Sequence, residues 1–146
     1  MLYEARSRIM RSIRSKDTSP ELFVRSLVHR CGFRFRLHSS RLPGRPDLVL
    51  PRHRAVILVN GCFWHGHDCH IYNSSKKRPP EWERKIARNR ERDRINMSAC
   101  RDLGWKSLIV WECAIQGKTR LAKDEISRLV STWLLESECD TEIKGT

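Results

Sequence analysis

A chain of 146 residues is short enough for one domain around one core, and 39% hydrophobic with 32% charged residues is an ordinary globular balance. Lys and Arg number 29 against 17 Asp and Glu, giving a net charge of +12 and an isoelectric point near 10.0. No run approaches the ~20 apolar residues of a membrane span. The opening Met-Leu-Tyr-Glu-Ala-Arg lacks the apolar stretch of a secretory signal. A cytoplasmic location is therefore the default expectation, in which the six cysteines stay reduced. Most of the excess charge is arginine, whose flat, forked guanidinium matches phosphate. A compact domain this basic carries the electrostatic footprint of nucleic-acid binding.

In chain order, Arg6, Arg8, Arg11, Arg14 and Lys16 surround Met10 and Ile13, which predicts a short basic helix or arm over residues 1–18. Asp17-Thr18-Ser19-Pro20-Glu21 is a helix start, with Ser19 able to cap and Pro20 suited to the first turn. Val24, Leu27, Val28 and Cys31 follow at helical spacing, and Gly32 ends the helix. Alternation of Phe33, Phe35 and Leu37 with Arg34, Arg36 and His38 predicts a half-exposed strand. Residues 47–50 and 55–60 are continuous apolar runs split by a short basic turn, a hairpin of buried strands. Residues 61–80 break into a loop long enough to need a function or a metal tie. A helix follows from Glu81 to about Leu103, closed by Gly104, with a densely charged middle. Leu108 to Trp111 predict another buried strand, and residues 119–136 a packed helix. Residues 137–146 are expected to form a frayed, disordered tail. The alternation of helices and strands defines a mixed α/β architecture.

Two sets of residues carry chemistry. Cys62, His65, His67, Cys69 and His70 lie within nine positions, and a tetrahedral zinc site takes four thiolates or imidazoles. Cys62, His67 and Cys69 come from one loop. Cys113, just after a predicted strand, is the natural fourth ligand and would staple that loop to the core, with Cys100 or His70 as substitutes. Asp47 opens a strand behind Arg45 and Pro46, a rigid place for a carboxylate that holds a hard cation, although a turn residue would look the same. Magnesium needs one or two such carboxylates. Glu21 is a second acid, equally explicable by the dipole of its helix. His65 lies between presumed zinc ligands and can serve as a general base near neutral pH, or replace His67 as a ligand. Phe63, Trp64 and Trp82 are aromatics in or beside a polar loop that cannot easily turn both rings of the Phe-Trp pair inward. Such rings can act as wedges between base steps, as can Met10 and Ile13 on the basic arm.

Four blocks extend this picture: Leu-Pro-Gly-Arg-Pro-Asp, Asn-Gly-Cys-Phe-Trp-His-Gly-His-Asp-Cys, Lys-Ile-Ala-Arg-Asn-Arg-Glu-Arg-Asp and Leu-Gly-Trp-Lys-Ser-Leu-Ile-Val-Trp-Glu-Cys. In content, order and spacing they resemble the very-short-patch repair endonucleases, over roughly residues 4–135. The resemblance implies a restriction-endonuclease-like (PD-(D/E)XK-type) mixed sheet flanked by helices, with a structural zinc. It implies a strand-specific nick on the 5′ side of the thymine in a T:G mismatch of double-stranded DNA. By matching position, Asp47 and the backbone carbonyl of Val59 would hold magnesium ions, two of them. His65 would be the general base, and Glu21 would support a magnesium-bound water. Cys62, His67, Cys69 and Cys113 would hold one zinc. Phe63, Trp64 and Trp82 would intercalate beside the mismatch, while Met10, Arg11, Ile13 and Arg14 cross the minor groove. Asn60 stands where the family commonly has a histidine, and Val59 where it often has threonine.

The sequence therefore predicts one endonuclease domain over residues 1–146, a monomer in the bacterial cytoplasm associated with the nucleoid, with mismatch-repair proteins as candidate partners. Two alternatives remain: a restriction-like nuclease on the same scaffold that acts on other mismatched, modified or matched DNA, and a zinc-stabilised DNA-binding module without turnover.

Overall fold

The computed structural model describes residues 17–73 and 78–146. The basic arm, with Met10, Arg11, Ile13 and Arg14, lies outside them. Among the described residues the principal elements are α1 (Ser19–Arg30), β1 (Arg36–Leu37), β2 (Leu48–Leu50), β3 (Ala55–Asn60), α2 (His70–Asn73), α3 (Pro80–Asp102), β4 (Lys106–Trp111), α4 (Glu112–Ile115), α5 (Lys123–Glu136) and β5 (Thr141–Ile143). The strands form one mixed sheet in the order β1-β2-β3-β4-β5. β1, β2 and β3 pair antiparallel, whereas β3-β4 and β4-β5 pair parallel.

The apolar runs have a simple cause. Both faces of the sheet are covered, so its central strands need side chains that bury in either direction. One face carries Leu48, Leu50, Ala55, Ile57, Leu108 and Val110 against Val24, Leu27 and Val28 of α1 and Ile126, Val130, Trp133 and Leu134 of α5. The opposite face carries Val49, Val56 and Ile109, which pack beneath Cys100 and Met97 of α3 and beneath the loop after β3. Parallel strands need long crossovers. α3 supplies the connection from β3 to β4, and α4 with α5 the one from β4 to β5.

Local differences from the sequence expectations have local causes. Thr18, rather than Ser19, caps α1: its backbone is extended and its Oγ accepts the Glu21 N–H at 3.4 Å. The strand expected from Phe33 is only Arg36–Leu37, at the sheet edge. The expected tail is the largest departure, because residues 141–143 form β5. Ile143 is buried in the core, and the Asp140 carboxylate accepts the Ser107 N–H at 2.9 Å, which aligns the segment with β4. Three residues with one apolar side chain leave almost no periodic signal. None of the helices described is long and apolar enough to cross a membrane.

Candidate active site and metal centre

Asp47 immediately precedes β2, where the hairpin holds it against the last residues of β3. Its Oδ2 accepts the Val59 N–H at 2.6 Å, and its backbone carbonyl accepts the His38 N–H at 3.2 Å. The His38 ring links it to α1: Nε2 lies 3.9 Å from Asp47 Oδ1 and 3.1 Å from Glu21 Oε2. Glu21 is buried, and Oε2 also accepts the Asp17 N–H at 2.9 Å and an Arg25 N–H at 3.2 Å. Burial pushes the Asp47 carboxyl up to about 6, against the Val59 N–H, which lowers it. The Glu21 charge adds to the rise, and His38 and Arg25 oppose it more weakly. A carboxylate so incompletely compensated suits a divalent cation, and two carboxylates are the oxygen donors magnesium prefers.

His65 occupies a separate pocket on the α3 side. Its Nδ1 lies 2.5 Å from Asp93 Oδ2, an imidazole oriented by a carboxylate. The pair opens into a cavity of about 530 Å3 shared with Asn60, Tyr72, Arg90 and Trp111. Asn60 is buried there, and its Nδ2 has no hydrogen-bond partner among the described residues. Asp47 and His65 do not touch. The last two residues of β3 join them, because Val59 binds Asp47 through its N–H while Asn60 enters the His65 cavity.

The loop after β3 lies close against α3. Gly66 has φ +62°, and a Cβ there would come within 2.7 Å of Arg90 Cδ and 2.9 Å of Ile86 Cγ2. This approach carries Cys62, His67 and Cys69 toward Cys113 of α4, and the four ligand atoms lie within 4.8 Å of one another. Cys113 is thus the fourth member of the cluster. Cys100 instead donates its thiol to the Pro43 carbonyl at 3.5 Å, and His70 stands outside the set. Burial pushes the Cys62 and Cys113 thiols above their ordinary range. Three crowded sulfurs and an imidazole are a soft donor set that can bind a metal and that suits a tetrahedral cation.

Phe63, Trp64 and Trp82 form one cluster of edge-to-face rings, with centroids 4.8, 5.3 and 5.7 Å apart. Of the Phe-Trp pair only Phe63 turns inward and is buried; Trp64, like Trp82, is half-buried. Lys85 Nζ lies 4.5 Å from the Trp64 ring centre, and the Arg78 guanidinium 5.9 Å from that of Phe63. The exposed side of α3 adds Arg84, Arg88, Arg92 and Arg94, so the rings lie beside a strongly basic surface.

Sequence reasoning missed Asp93 and His38. A signal for Asp93 existed: Ile86, Asn89, Asp93, Asn96, Met97 and Cys100 recur at helical spacing on the less exposed side of α3, and a carboxylate on that stripe needs a partner. His38 carried no such signal. It falls just after a two-residue strand and reaches Glu21 only through tertiary packing.

A family model described as DNA mismatch endonuclease Vsr matches residues 2–71. The DNA mismatch endonuclease Vsr of Escherichia coli (strain K12) is 39% identical over 138 residues, 94% of this chain and 88% of the relative. The type II nicking enzyme V.XorIIP of Xanthomonas oryzae pv. oryzae is 48% identical over 112 residues, 77% and 82% of the two chains. The type II nicking enzyme V.NmeAIP of Neisseria meningitidis is 38% identical over 125 residues, 86% and 89%. A basic α/β domain with an oriented imidazole and clustered carboxylates, similar to these proteins along most of its length, falls in the class of DNA endonucleases. The chain belongs to the Vsr family.

Proposed function

We propose that the protein is a strand-specific nickase that cuts 5′ of the thymine in T:G mismatches, through one restriction-endonuclease-like domain acting as a monomer on DNA in the bacterial cytoplasm. Similarity to a mismatch endonuclease over 94% of the chain supports the substrate, and the nicking-enzyme relatives support cleavage of one strand. The single observation that carries the chemistry is the His65–Asp93 pair at 2.5 Å, in a cavity lined by Asn60, the residue next to the one whose N–H binds Asp47.

Asp47, with the Val59 carbonyl, would hold magnesium, and Cys62, His67, Cys69 and Cys113 a structural zinc. Magnesium bound there supplies Lewis-acid stabilisation of charge on the attacking and leaving oxygens. His65 accepts the proton of the attacking water at Nε2, while Asp93 holds Nδ1–H and stabilises the resulting imidazolium. Glu21, fixed by Asp17 and Arg25, orients water beside Asp47. The buried Asn60 amide presents a donor that does not titrate toward the same cavity. Arginine on α3 draws in the phosphate backbone with a steep salt dependence. Phe63, Trp64 and Trp82 enter the stack at the mismatch, where unpairing costs least, so deformation energy becomes selectivity. Phe63 must leave its ring cluster to do so.

The test is a panel of end-labelled duplexes carrying T:G, other mismatches, matched T:A or 5-methylcytosine, incubated with magnesium. A nick in the thymine strand of T:G alone is expected. Equal cleavage of matched or methylated duplexes would establish the restriction-like alternative, and binding without cleavage the non-enzymatic one.

A further inference from the structure

The C-terminal segment does more than extend the sheet. Glu142 of β5 accepts the Trp111 indole N–H at 2.9 Å. The Trp111 ring in turn lies 4.1 Å from the His67 imidazole with 6° between their planes, a parallel stack. Three residues beyond Glu142, the Gly145 N–H points at Cys113 Sγ at 3.4 Å. The Thr146 N–H donates to the Thr119 carbonyl at 3.0 Å, and Thr119 Oγ1 donates to the Cys113 carbonyl at 3.0 Å. Glycine is needed at 145, because a Cβ there would come within 2.6 Å of the Cys113 carbonyl oxygen. Two of the four soft donors, His67 and Cys113, are therefore held from behind by residues 142–146.

We infer that Glu142 is a positioning residue of the metal centre: through Trp111 it fixes the plane of the His67 ring, and together with Gly145 on Cys113 it makes the C-terminal strand a clamp that closes the site around a tetrahedral divalent cation. The inference rests on the metal-binding role proposed above for Cys62, His67, Cys69 and Cys113. Partners behind a metal ligand fix its orientation, and their loss typically weakens metal binding ~10–100-fold. A purely structural role for β5 predicts something different. Its backbone pairing with β4 and the burial of Ile143 do not involve the Glu142 carboxylate, so removing that group would leave a structural edge strand unchanged. The same indole also lies 6.5 Å from the His65 ring, so the clamp reaches the wall of the candidate active site.

The test measures zinc affinity of the full chain by competition with a chromophoric chelator, for the parent and for Glu142→Ala, Glu142→Gln, Trp111→Phe and Gly145→Ala. The parent is expected to hold one zinc. Glu142→Ala and Trp111→Phe should weaken it about 10-fold or more, while Glu142→Gln, which keeps an acceptor oxygen for the indole, stays within about 3-fold of the parent. Thermal unfolding with the metal chelated should be nearly the same for Glu142→Ala and the parent, because the clamp acts through the cation. Glu142→Ala and Trp111→Phe variants that fold and bind zinc as tightly as the parent would overturn the clamp. A parent that binds no zinc would overturn the metal-site proposal beneath it instead. Should Glu142→Ala fail to fold, Trp111→Phe and Gly145→Ala decide the matter by the same affinity measurement.

Discussion

Replacing Asp47 by asparagine should destroy nicking and yet stabilise the magnesium-free protein at neutral pH. The folded chain holds the Asp47 proton up to about pH 6, against 3.8 as the ordinary value, because burial disfavours the charge more than the Val59 N–H favours it. A raised folded-state pKa contributes stability that is fully present below about pH 4 and is lost as pH climbs through about 6. At ~1.4 kcal/mol per pH unit, that separation amounts to on the order of 3 kcal/mol forfeited at pH 7.5. Asparagine keeps an acceptor oxygen for Val59 and carries no charge, so Asp47→Asn should recover much of that loss. For a domain of this size the gain is several degrees in Tm. The assay is thermal unfolding followed by circular dichroism in magnesium-free buffer at pH 4 and pH 7.5, then at pH 7.5 with millimolar magnesium. The variant should match the parent at pH 4, exceed it at pH 7.5, and fail to gain from magnesium, which stabilises the parent. A variant no more stable than the parent at pH 7.5 would refute the claim that Asp47 is a strained, under-compensated carboxylate.

Three further outcomes follow from the geometry. Asp93→Asn should lower single-turnover nicking ~10²-fold or more with little change in DNA affinity, since it removes the charge that stabilises protonated His65; binding and cleavage falling together would point to a structural role. Cys62→Ala should cost several kcal/mol of folding stability and abolish the loss of Tm that a chelator causes in the parent, because metal binding there is folding free energy. Phe63→Ala should destabilise the free protein by ~3–5 kcal/mol, as a buried aromatic does, whereas Trp64→Ala should cost less stability and mainly narrow the T:G-to-T:A discrimination measured on the duplex panel.

The parts of the site legible in the sequence are those whose residue type limits what they can do. Three soft ligands within eight positions, with Cys113 behind a strand, announced a metal cluster, and the structure gathers the same four atoms within 4.8 Å. Asp47 could be singled out because a carboxylate behind Pro46 at the head of an apolar strand is rigidly placed, although residue type alone did not separate it from a turn residue. The buried strands were legible because a sheet covered on both faces demands unbroken apolar runs. What stayed hidden depends on long-range pairing. Asp93 was lost among the charges of α3 because the helix is so basic that one more acid looked like surface. His38 meets Glu21 only once α1 packs beside the hairpin, whereas Arg25 reaches it within α1 at i,i+4. β5 escaped notice because its alignment comes from Asp140, a polar residue that in isolation suggests solvent. The inward turn of Phe63 is likewise a tertiary effect, supplied by Trp82 from the start of α3.

Val59 and Asn60 are neighbours on one pleated ribbon, and consecutive positions on such a ribbon face opposite ways. One serves Asp47 through its main chain; the other serves the chamber of His65 through its side chain. The main-chain contact to Asp47 and the amide in the His65 chamber therefore sit one peptide apart on the same strand, while His65 itself is carried by the loop that follows and Asp93 by α3. A single-residue slip of β3 against β2 would withdraw the Val59 N–H from Asp47 and turn the Asn60 side chain to the other face. Intact activity thus doubles as a report that β3 has found its proper register.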